Sequence, residues 1–235
     1  MGIGPGGRDQ ITPRARRAIR EAEAVVGYAT YLDLLGDLLA GKEVHRSPMR
    51  KEVERCRLAV ELALTGRRVV VISSGDPGVY GMAGPILEVL GERELPVEII
   101  PGVTAAAAAA AALGAPLNHD FAVISLSDLL TPWAVIEKCL HAAAAADFVA
   151  VLYNPKSAKR QVQIERAVQI FLKHREEGTP VGIVKNADRE HEEVLLTNLK
   201  RVLEHDLDML TTVVIGNSQT YTANSRMITP RGYRL

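Results

Sequence analysis

The chain is predicted to be an α/β protein with two domains, and three observations support this. Short β-branched runs such as Val69-Val70-Val71-Ile72 alternate with longer segments of helical periodicity. Loops rich in glycine and proline follow or precede these elements at 2–7, 73–81 and 101–105. A turn-forming stretch at 114–120 then separates one series of strands and helices from another. Such alternation is typical of sheets covered by helices.

The helices of the first half have recognisable ends. Thr12-Pro13 supplies a polar cap with proline at the first helical position, which predicts a helix at about 13–23. Ser47-Pro48 begins and Gly66 ends a second helix, at 48–65. The alanine run that starts at Ala105 has the highest helix propensity and predicts a helix at 104–113. A further helix at 80–91 and strands at 24–27, 69–73 and 97–100 complete this half.

The second half has the same alternating character. Thr131-Pro132 begins a helix at about 132–146, and a second helix is predicted at 160–175. Strands are predicted near 121–126, 148–153, 181–185, 193–196 and 211–216. The two domains are therefore expected to span 1–115 and 116–235.

The composition limits the class of protein. Lys plus Arg equals Asp plus Glu at 28 each, which argues against a broad nucleic-acid surface. We expect no membrane insertion, because no apolar run reaches the ~18 residues of a membrane span. We expect no signal peptide, because the amino terminus lacks the charged-then-apolar layout of one. Cys56 and Cys139 are predicted to be small buried hydrophobes in a reducing cytoplasm. The scattered histidines lack ligand spacing, so no protein-bound metal is expected.

The glycine-rich loops indicate a ligand site, because ligands of open α/β sheets bind at the carboxyl ends of strands. Glycine allows close backbone approach there. The proline at position 5 departs from a dinucleotide fingerprint, and no P-loop lysine follows, so phosphate binding is not favoured. Each loop taken alone is also compatible with an ordinary strand-to-helix turn. Asp76, the only acid in its loop, has three possible roles: holding a cofactor, orienting a substrate group, or bonding its own backbone.

The loops belong to a longer series of motifs. GIGPGG, SSGDPGVYG and PGVTA are followed by ISLSDLLTPW, LYNPKS, GIVKNA, TTVVIGNSQT and RMITPRGY, in an order that covers essentially the whole chain. This series resembles the tetrapyrrole methylases, which are S-adenosylmethionine-dependent enzymes of siroheme and cobalamin synthesis. The later motifs are most similar to the branch that methylates C17 of precorrin-3B or cobalt-precorrin-3 with ring contraction. The resemblance implies two α/β domains with the cofactor in a cleft between them, a tetrapyrrole substrate and a homodimer.

The chain departs from the family at its start. In the family the first glycine loop is preceded by a full apolar strand, whereas here only Met1 precedes Gly2. We therefore expect either that the start codon has been placed late or that the first strand is a stub, with a weakened amino-terminal edge.

The resemblance also implies site residues. Cofactor contacts are expected from Pro5, Gly75, Asp76, Val79, Thr104, Ala105, Tyr153, Asn154, Ala187, Thr211 and Thr212. Ring contraction requires a proton to move, and the main candidate residues are Asp76 and His119. Asp120, Asp128 and Tyr80 are further candidates for this role. The substrate's carboxylates require cations. The candidates are Arg46, Arg50 and Lys51 in one cluster and Lys156, Lys159 and Arg160 in another.

Two alternatives stay open at this stage. One is another member of the superfamily, acting on a different precorrin carbon or on a macromolecule, which the neutral net charge and the TPRGY tail disfavour. The other is a non-catalytic relative that only binds ligand, which the intact glycine loops disfavour.

Overall fold

The computed structural model describes residues 1–157 and 160–234 and confirms the α/β class. The chain divides into two compact units, Met1–Ala105 and Ala106–Leu235. The division falls at the start of the alanine-rich helix, whereas the domain boundary predicted from the sequence lies after that helix. The predicted boundary at 115/116 stays a prediction. Every helix among the described residues is too short or too polar to traverse a bilayer.

The first unit contains a three-stranded parallel sheet of order β2-β1-β3. The strands are β1 (Ala24–Tyr28), β2 (Glu43–Ser47) and β3 (Val69–Val71). The helices are α1 (Pro13–Glu21), α2 (Ala29–Asp33), α3 (Glu52–Leu64) and α4 (Ala83–Leu90). Because the strands are parallel, their carboxyl ends all lie at one edge of this sheet.

Local chemistry explains why α1 begins where it does. The Thr12 hydroxyl accepts a hydrogen bond from the Ala15 backbone N–H at 3.2 Å, and Pro13 occupies the first helical position. Ala15 and Ile19 are buried, and Ile19 joins the hydrophobic core of this unit. The helix is therefore fixed by its cap and by one apolar face.

Several predicted boundaries in this unit are wrong. The helix predicted at 48–65 begins at Glu52, because Arg50 adopts a left-handed backbone with φ of 67°. The helix predicted at 80–91 begins at Ala83, because Tyr80 is also left-handed, with φ of 53°. The strand predicted at 97–100 is not formed, and residues 93–104 carry neither helix nor strand. No described strand lies beside them, since β3 ends the sheet.

The amino group of Met1 is buried against β3. It donates a hydrogen bond to the Val71 carbonyl at 2.7 Å. Burial lowers the pKa of this amino group to about 6, against 8.0 for an ordinary terminus, although the Asp76 carboxylate opposes the shift. The charged form is therefore disfavoured in the folded chain.

We expect this group to make stability rise with pH. Between pH 6 and pH 8 the unfolded chain holds a proton that the folded chain has released, so the unfolding free energy increases as pH rises through that window. The two-unit difference corresponds to about 2–3 kcal/mol, lost in full below pH 6. Urea titrations at both pH values measure the effect. A sample acetylated at the amino terminus should lack this pH-dependent part of the unfolding free energy. Equal pH dependence of the acetylated and unmodified samples would contradict its assignment to the Met1 amino group.

The second unit contains a five-stranded sheet of order β5-β6-β9-β7-β8 and a small sheet of order β10-β11-β4. The strands are β4 (Gly114–Ala115), β5 (Phe121–Ser125), β6 (Val149–Tyr153), β7 (Pro180–Lys185), β8 (Glu193–Asn198), β9 (Thr211–Ile215), β10 (Tyr221–Ala223) and β11 (Arg226–Ile228). The helices are α5 (Ala105–Leu113), α6 (Trp133–Ala145) and α7 (Val162–Leu172). β5 and β6 are parallel, whereas β9 is antiparallel to both β6 and β7.

Helices cover both faces of the five-stranded sheet. Leu140 of α6 and Phe171 of α7 pack with Leu152 and Ile215 in the main core of this unit. On the opposite face, the side chain of Leu113 occupies the space that a Cβ at Gly182 would need. The helix α5 therefore packs closely against β7 at this glycine. Strands buried on both faces explain the continuous apolar runs in the sequence.

One cysteine prediction is wrong. Cys56 is buried on α3, and burial raises the pKa of its thiol to about 11, as expected for a small hydrophobe. Cys139 is exposed, because the buried stripe of α6 runs through Ile136, Leu140 and Ala143. The thiol lies just outside that stripe.

Candidate functional site

The structure brings the three glycine-rich loops of the first unit together. Gly4 and Gly75 exchange backbone hydrogen bonds, with N–H to carbonyl distances of 3.2 and 2.7 Å. The Gly2 N–H donates to the Ile100 carbonyl, just before the third loop, at 2.9 Å. The loop at 2–7 therefore lies between the other two.

This packing requires glycine. A Cβ at Gly2 would overlap the Gly75 carbonyl oxygen and lie 2.8 Å from the Gly102 nitrogen. A Cβ at Gly102 would overlap the same oxygen and lie 3.0 Å from two backbone atoms of Gly2. Gly75 also has a positive φ of 63°, which other residues rarely adopt. The three loops are thus in direct main-chain contact.

The Asp76 carboxylate links two of the loops. Oδ1 accepts a hydrogen bond from the Gly78 N–H at 2.8 Å, within its own loop. Oδ2 accepts one from the Gly102 N–H at 3.0 Å, in the third loop. The sequence indicated the first contact as a turn interaction, but only the folded chain shows the second. Both oxygens are engaged with backbone donors.

The other predicted cofactor residues of this unit lie in the same loops. Pro5 is buried next to Gly4, and Val79, Thr104 and Ala105 are half-buried. Asp76 is the only charged side chain in the three loops, which contain no lysine or arginine. This surface favours a neutral or cationic ligand over a phosphate.

The predicted cofactor residues of the second unit also converge. Tyr153 and Asn154 lie at the carboxyl end of β6, and β9 begins at this edge because it runs antiparallel, with Leu152 opposite Val213. Lys185 at the end of β7 lies opposite Thr211, so Ala187 follows at the same edge. The edge thus carries Tyr153, Asn154, Ala187, Thr211 and Thr212.

Hydrogen bonds fix the backbone at this edge. The Tyr153 hydroxyl accepts from the Ala106 N–H at 2.6 Å, near the start of α5. The Asn154 amide donates to the Ser125 hydroxyl at 3.0 Å. Asn154 has a left-handed φ of 52°, which asparagine tolerates better than most residues. These side chains position the strand ends.

The carboxylate of Asp208, which was not predicted as a site residue, forms a hydrogen bond with Thr211. The Thr211 hydroxyl donates to Asp208 Oδ1 at 2.9 Å, and Lys185 Nζ lies 2.8 Å from Asp208 Oδ2. Burial raises the pKa of Asp208, but hydrogen bonds from Lys185, the Leu210 N–H and Thr211 outweigh it and hold the pKa below its usual value. An acid three residues before a strand is a weak signal in sequence.

Arg160 is a cationic residue at the same edge of the five-stranded sheet, where β6 ends and β9 begins. Its Nη2 donates to the Asn154 carbonyl at 2.9 Å, and Nη1 lies 3.5 Å from the Ser127 hydroxyl. Its Nε is buried and has no hydrogen-bond partner among the described residues. Burial lowers the pKa of the guanidinium, while Asp128 acts in the opposite direction. Of the other cations in this cluster, Lys156 is half-buried in the same loop and Lys159 lies outside the described residues.

The structure places His119 elsewhere in the second unit. His119 precedes β5, whereas Tyr153 ends the parallel strand β6, so the two lie at opposite edges of the sheet. A five-residue strand separates those edges by roughly 16 Å. The His119 ring accepts a hydrogen bond from the Asp120 N–H at 2.8 Å and its side chain is 45% exposed. His119 is not brought together with the strand-end residues.

The first basic cluster lies at the loop-bearing edge of the first sheet. Arg46 is near the carboxyl end of β2, which is parallel to the strand that leads into the 73–81 loop. Arg46 pairs with Asp33 at 2.5 Å, and Lys51 pairs with Glu54 at 2.5 Å. Arg50 lies between Arg46 and Lys51 in the sequence and has a left-handed backbone.

Among the described residues, no group of three or more His, Cys, Asp and Glu is arranged to hold a metal ion.

Comparison with known proteins identifies relatives along the whole chain. A model of the family Tetrapyrrole (Corrin/Porphyrin) Methylases matches residues 1–203. The chain is 51% identical to the cobalt-factor III methyltransferase of Priestia megaterium, covering 100% of this chain but 44% of that protein. It is 49% identical to the probable cobalt-factor III C(17)-methyltransferase of Salmonella typhimurium, covering 100% of this chain and 98% of that protein.

Solved structures of methyltransferases are also similar to this chain. The crystal structure of the methyltransferase CobJ superposes with a TM-score of 0.92 at 38% identity, over 97% of both chains. A uroporphyrin-III C-methyl transferase from Thermus thermophilus, complexed with S-adenyl homocysteine, superposes with a TM-score of 0.71 at 26% identity, over 92% of this chain and 90% of that one. Both similarities extend over nearly the full chain.

Proposed function

Because the chain belongs to the tetrapyrrole (corrin/porphyrin) methylases, we propose that it transfers a methyl group from S-adenosylmethionine to C17 of cobalt-factor III or a precorrin-3-level macrocycle, in cobalamin biosynthesis. The observation that carries the proposal is 49% identity to the Salmonella typhimurium protein over essentially its whole length. The Priestia megaterium relative is more than twice as long as the matched region, so that protein's full activity is not transferred.

The three-loop surface fits this cofactor. Adenosylmethionine carries no phosphate, and its adenosine and methionine parts can be recognised by main-chain groups that glycine leaves accessible. Its sulfonium is cationic, which suits loops whose single charged side chain is Asp76. We assign cofactor contacts to Pro5, Gly75, Asp76, Val79, Thr104 and Ala105 in these loops, and to Tyr153, Asn154, Ala187, Thr211 and Thr212 in the second unit.

The chemistry proposed for these residues is positioning. When bound, the cofactor would supply an electrophilic methyl group, which an electron-rich substrate carbon attacks in line as the methyl–sulfur bond breaks and S-adenosylhomocysteine leaves. The chain's own residues hold the reactants in that geometry, a contribution worth up to about 7–11 kcal/mol in well-oriented systems. The Asp76 hydrogen bonds to Gly78 and Gly102 fix the loop backbones, and those of Tyr153 and Asn154 fix the strand ends.

We assign the substrate's acetate and propionate groups to the two basic clusters. Arg46, Arg50 and Lys51 lie at the loop-bearing edge of the first sheet, and Lys156 lies in the loop that follows Asn154. Lys159, which is outside the described residues, is assigned from the sequence alone. Arg160 is held at that edge by the Asn154 carbonyl. Guanidinium and ammonium groups bind carboxylates through charge-assisted hydrogen bonds.

Proton transfer during ring contraction remains assigned to Asp76 or His119. Asp76 is supported by its place among the glycine loops. His119 is an exposed side chain, away from the second unit's strand ends, and its role requires the substrate to reach that edge. We also propose that the enzyme is a cytoplasmic homodimer.

The test is turnover by the purified chain. We expect incubation with S-adenosylmethionine and cobalt-factor III to yield a product heavier by one methyl group, detected by mass spectrometry. Parallel incubation with the metal-free substrate distinguishes the two precorrin routes. Cofactor binding without turnover of either macrocycle would favour the non-catalytic alternative.

A further inference from the structure

Tyr80 is an exposed aromatic residue with a strained backbone, in the loop that follows β3. Its φ of 53° lies in the left-handed region, which bulky residues rarely adopt. Tyr80 is also 63% exposed, so burial of the ring does little to offset the strain. Strained residues that are held by the surrounding structure concentrate at ligand sites. The conformation of Tyr80 therefore indicates a role other than stabilising the fold.

The loop around Tyr80 holds it in this conformation. The Pro77 carbonyl accepts a hydrogen bond from the Ala83 N–H at 2.9 Å, which closes a turn across Tyr80. A Cβ at Gly81 would lie 2.7 Å from the same carbonyl oxygen and 2.8 Å from that of Asp76. Residue 81 is thus packed against the loop backbone. The Tyr80 side chain is left at the surface of the loop that also carries Asp76.

A second strained residue lies in the turn between β2 and α3. Arg50 is exposed and has a left-handed φ of 67°. Its backbone N–H donates to a carboxylate oxygen of Glu52 at 3.0 Å, but its guanidinium forms no ion pair with any residue that the structure describes. The preceding residue, Met49, is 55% exposed. This turn therefore presents one apolar and one cationic side chain to solvent.

The buried side chain of Arg55 brings these two turns together. Arg55, on α3, is only 4% exposed. Its Nη2 donates to the Pro48 carbonyl at 3.1 Å, and its Nη1 lies 3.6 Å from the Met82 sulfur. Pro48 comes two residues before Arg50, and Met82 comes two residues after Tyr80. The two strained residues are thus neighbours, attached to turns that contact one guanidinium.

The surface formed by Met49, Arg50 and Tyr80 combines three kinds of contact. An aromatic ring and a thioether side chain pack well against a flat conjugated ring system. A guanidinium binds carboxylates through charge-assisted hydrogen bonds. A tetrapyrrole with acetate and propionate groups at its rim offers both partners. The positive charge of Arg50 disfavours the cationic sulfonium of the cofactor at the same place.

We propose that Met49, Arg50 and Tyr80 form a binding surface for the macrocycle. The Tyr80 ring and the Met49 side chain pack against one face of the ring system, and Arg50 pairs with a carboxylate at its rim. Arg55 is a positioning residue that acts through the two turns. The inference rests on the proposed function and adds Tyr80 and Met49 to the substrate contacts. Because the strain is retained for binding, stability and substrate affinity should change in opposite directions when it is relieved.

The test compares Tyr80→Gly with Ser225→Gly. Ser225 is an exposed left-handed residue, with φ of 56°, in the turn between β10 and β11. Both substitutions relieve strain and should raise Tm by about 2–4 °C. Tyr80→Gly should also raise KM for cobalt-factor III by about tenfold or more, with kcat and the Kd for S-adenosylmethionine within about twofold of the parent. Ser225→Gly should leave KM unchanged.

Two further variants separate the ring, the hydroxyl and the charge. Tyr80→Phe keeps the ring and should keep KM and kcat within about twofold of the parent. A fall in kcat for Tyr80→Phe would assign the hydroxyl to proton transfer and overturn the packing role. Arg50→Gln should raise KM by a factor that shrinks as salt rises from about 0.05 M to about 0.5 M, whereas the factor for Tyr80→Gly should not change.

An absorbance titration with cobalt-factor III measures macrocycle binding without turnover. A parent that binds and methylates the macrocycle, together with unchanged Kd and KM in Tyr80→Gly, would overturn this proposal and leave the proposed function standing. A parent that binds no macrocycle would overturn both. The expected result is a weaker Kd for the macrocycle in Tyr80→Gly, in a chain that is more stable than the parent.

Discussion

Replacing Gly102 by alanine is expected to abolish cofactor binding and to lower the unfolding free energy by about 3 kcal/mol. The new Cβ would overlap the Gly75 carbonyl oxygen and press on the backbone of Gly2. Since all of these are main-chain atoms of adjoining loops, no side-chain rotation relieves the overlap. The loops must separate, and the arrangement proposed to hold adenosylmethionine is lost.

Gly84→Ala is the matched control for this substitution. Gly84 lies exposed in α4, and a Cβ there meets nothing within 4 Å. Alanine has the higher helix propensity, so this variant should equal or exceed the parent in stability by up to about 1 kcal/mol. Thermal unfolding and calorimetry with S-adenosylmethionine measure both variants. Undiminished affinity in Gly102→Ala would remove the three-loop surface from the site.

Replacing Asp76 by alanine is expected to raise the Kd for S-adenosylmethionine by about 10–100-fold. The Gly78 and Gly102 N–H groups lose their acceptor, and each such loss costs about 1–3 kcal/mol when water does not replace it. Asp76→Asn keeps one acceptor oxygen and should fall between the parent and the alanine variant. Calorimetry gives the affinities.

The pH dependence of kcat separates positioning from proton transfer. For a positioning residue, Asp76→Asn changes affinity and leaves the shape of the kcat profile intact. Disappearance of one limb of the profile with unchanged cofactor affinity would instead identify Asp76 as the proton-transfer group. His119→Ala serves as the parallel variant, because Asp76 and His119 are both candidates for proton transfer.

Much of this fold could be predicted from sequence because its signals are local. Thr12-Pro13 begins α1, and apolar runs mark β6, β7 and β9 within a few residues. β2 was missed because Glu43-Val44-His45-Arg46-Ser47 is too polar to be recognised as a strand. The strand predicted at 97–100 has an appropriate sequence but no neighbour to pair with. Pairing partners are a non-local property.

In the candidate site, too, the local features could be predicted from the sequence, whereas the contacts between distant residues could not. The glycine loops were apparent from composition and order, but the hydrogen bond from Gly102 to Asp76 joins residues 26 positions apart and has no sequence signature. The edge shared by Asn154 and Thr211 depends on strand order. The position of His119 at the opposite edge could not be foreseen for the same reason, since its side of the sheet follows from the parallel pairing of β5 with β6.

The most direct measurement is the position of the transferred methyl group. Cobalt-factor III is incubated with the purified chain and S-adenosylmethionine carrying a ¹³C-labelled methyl group, and the product is analysed by carbon NMR. We expect a single labelled methyl bonded to C17 of the macrocycle, formed by the parent and not by Gly102→Ala. A label on any other carbon, or no transfer to cobalt-factor III and its metal-free counterpart by a chain that binds the cofactor, would contradict the proposed function.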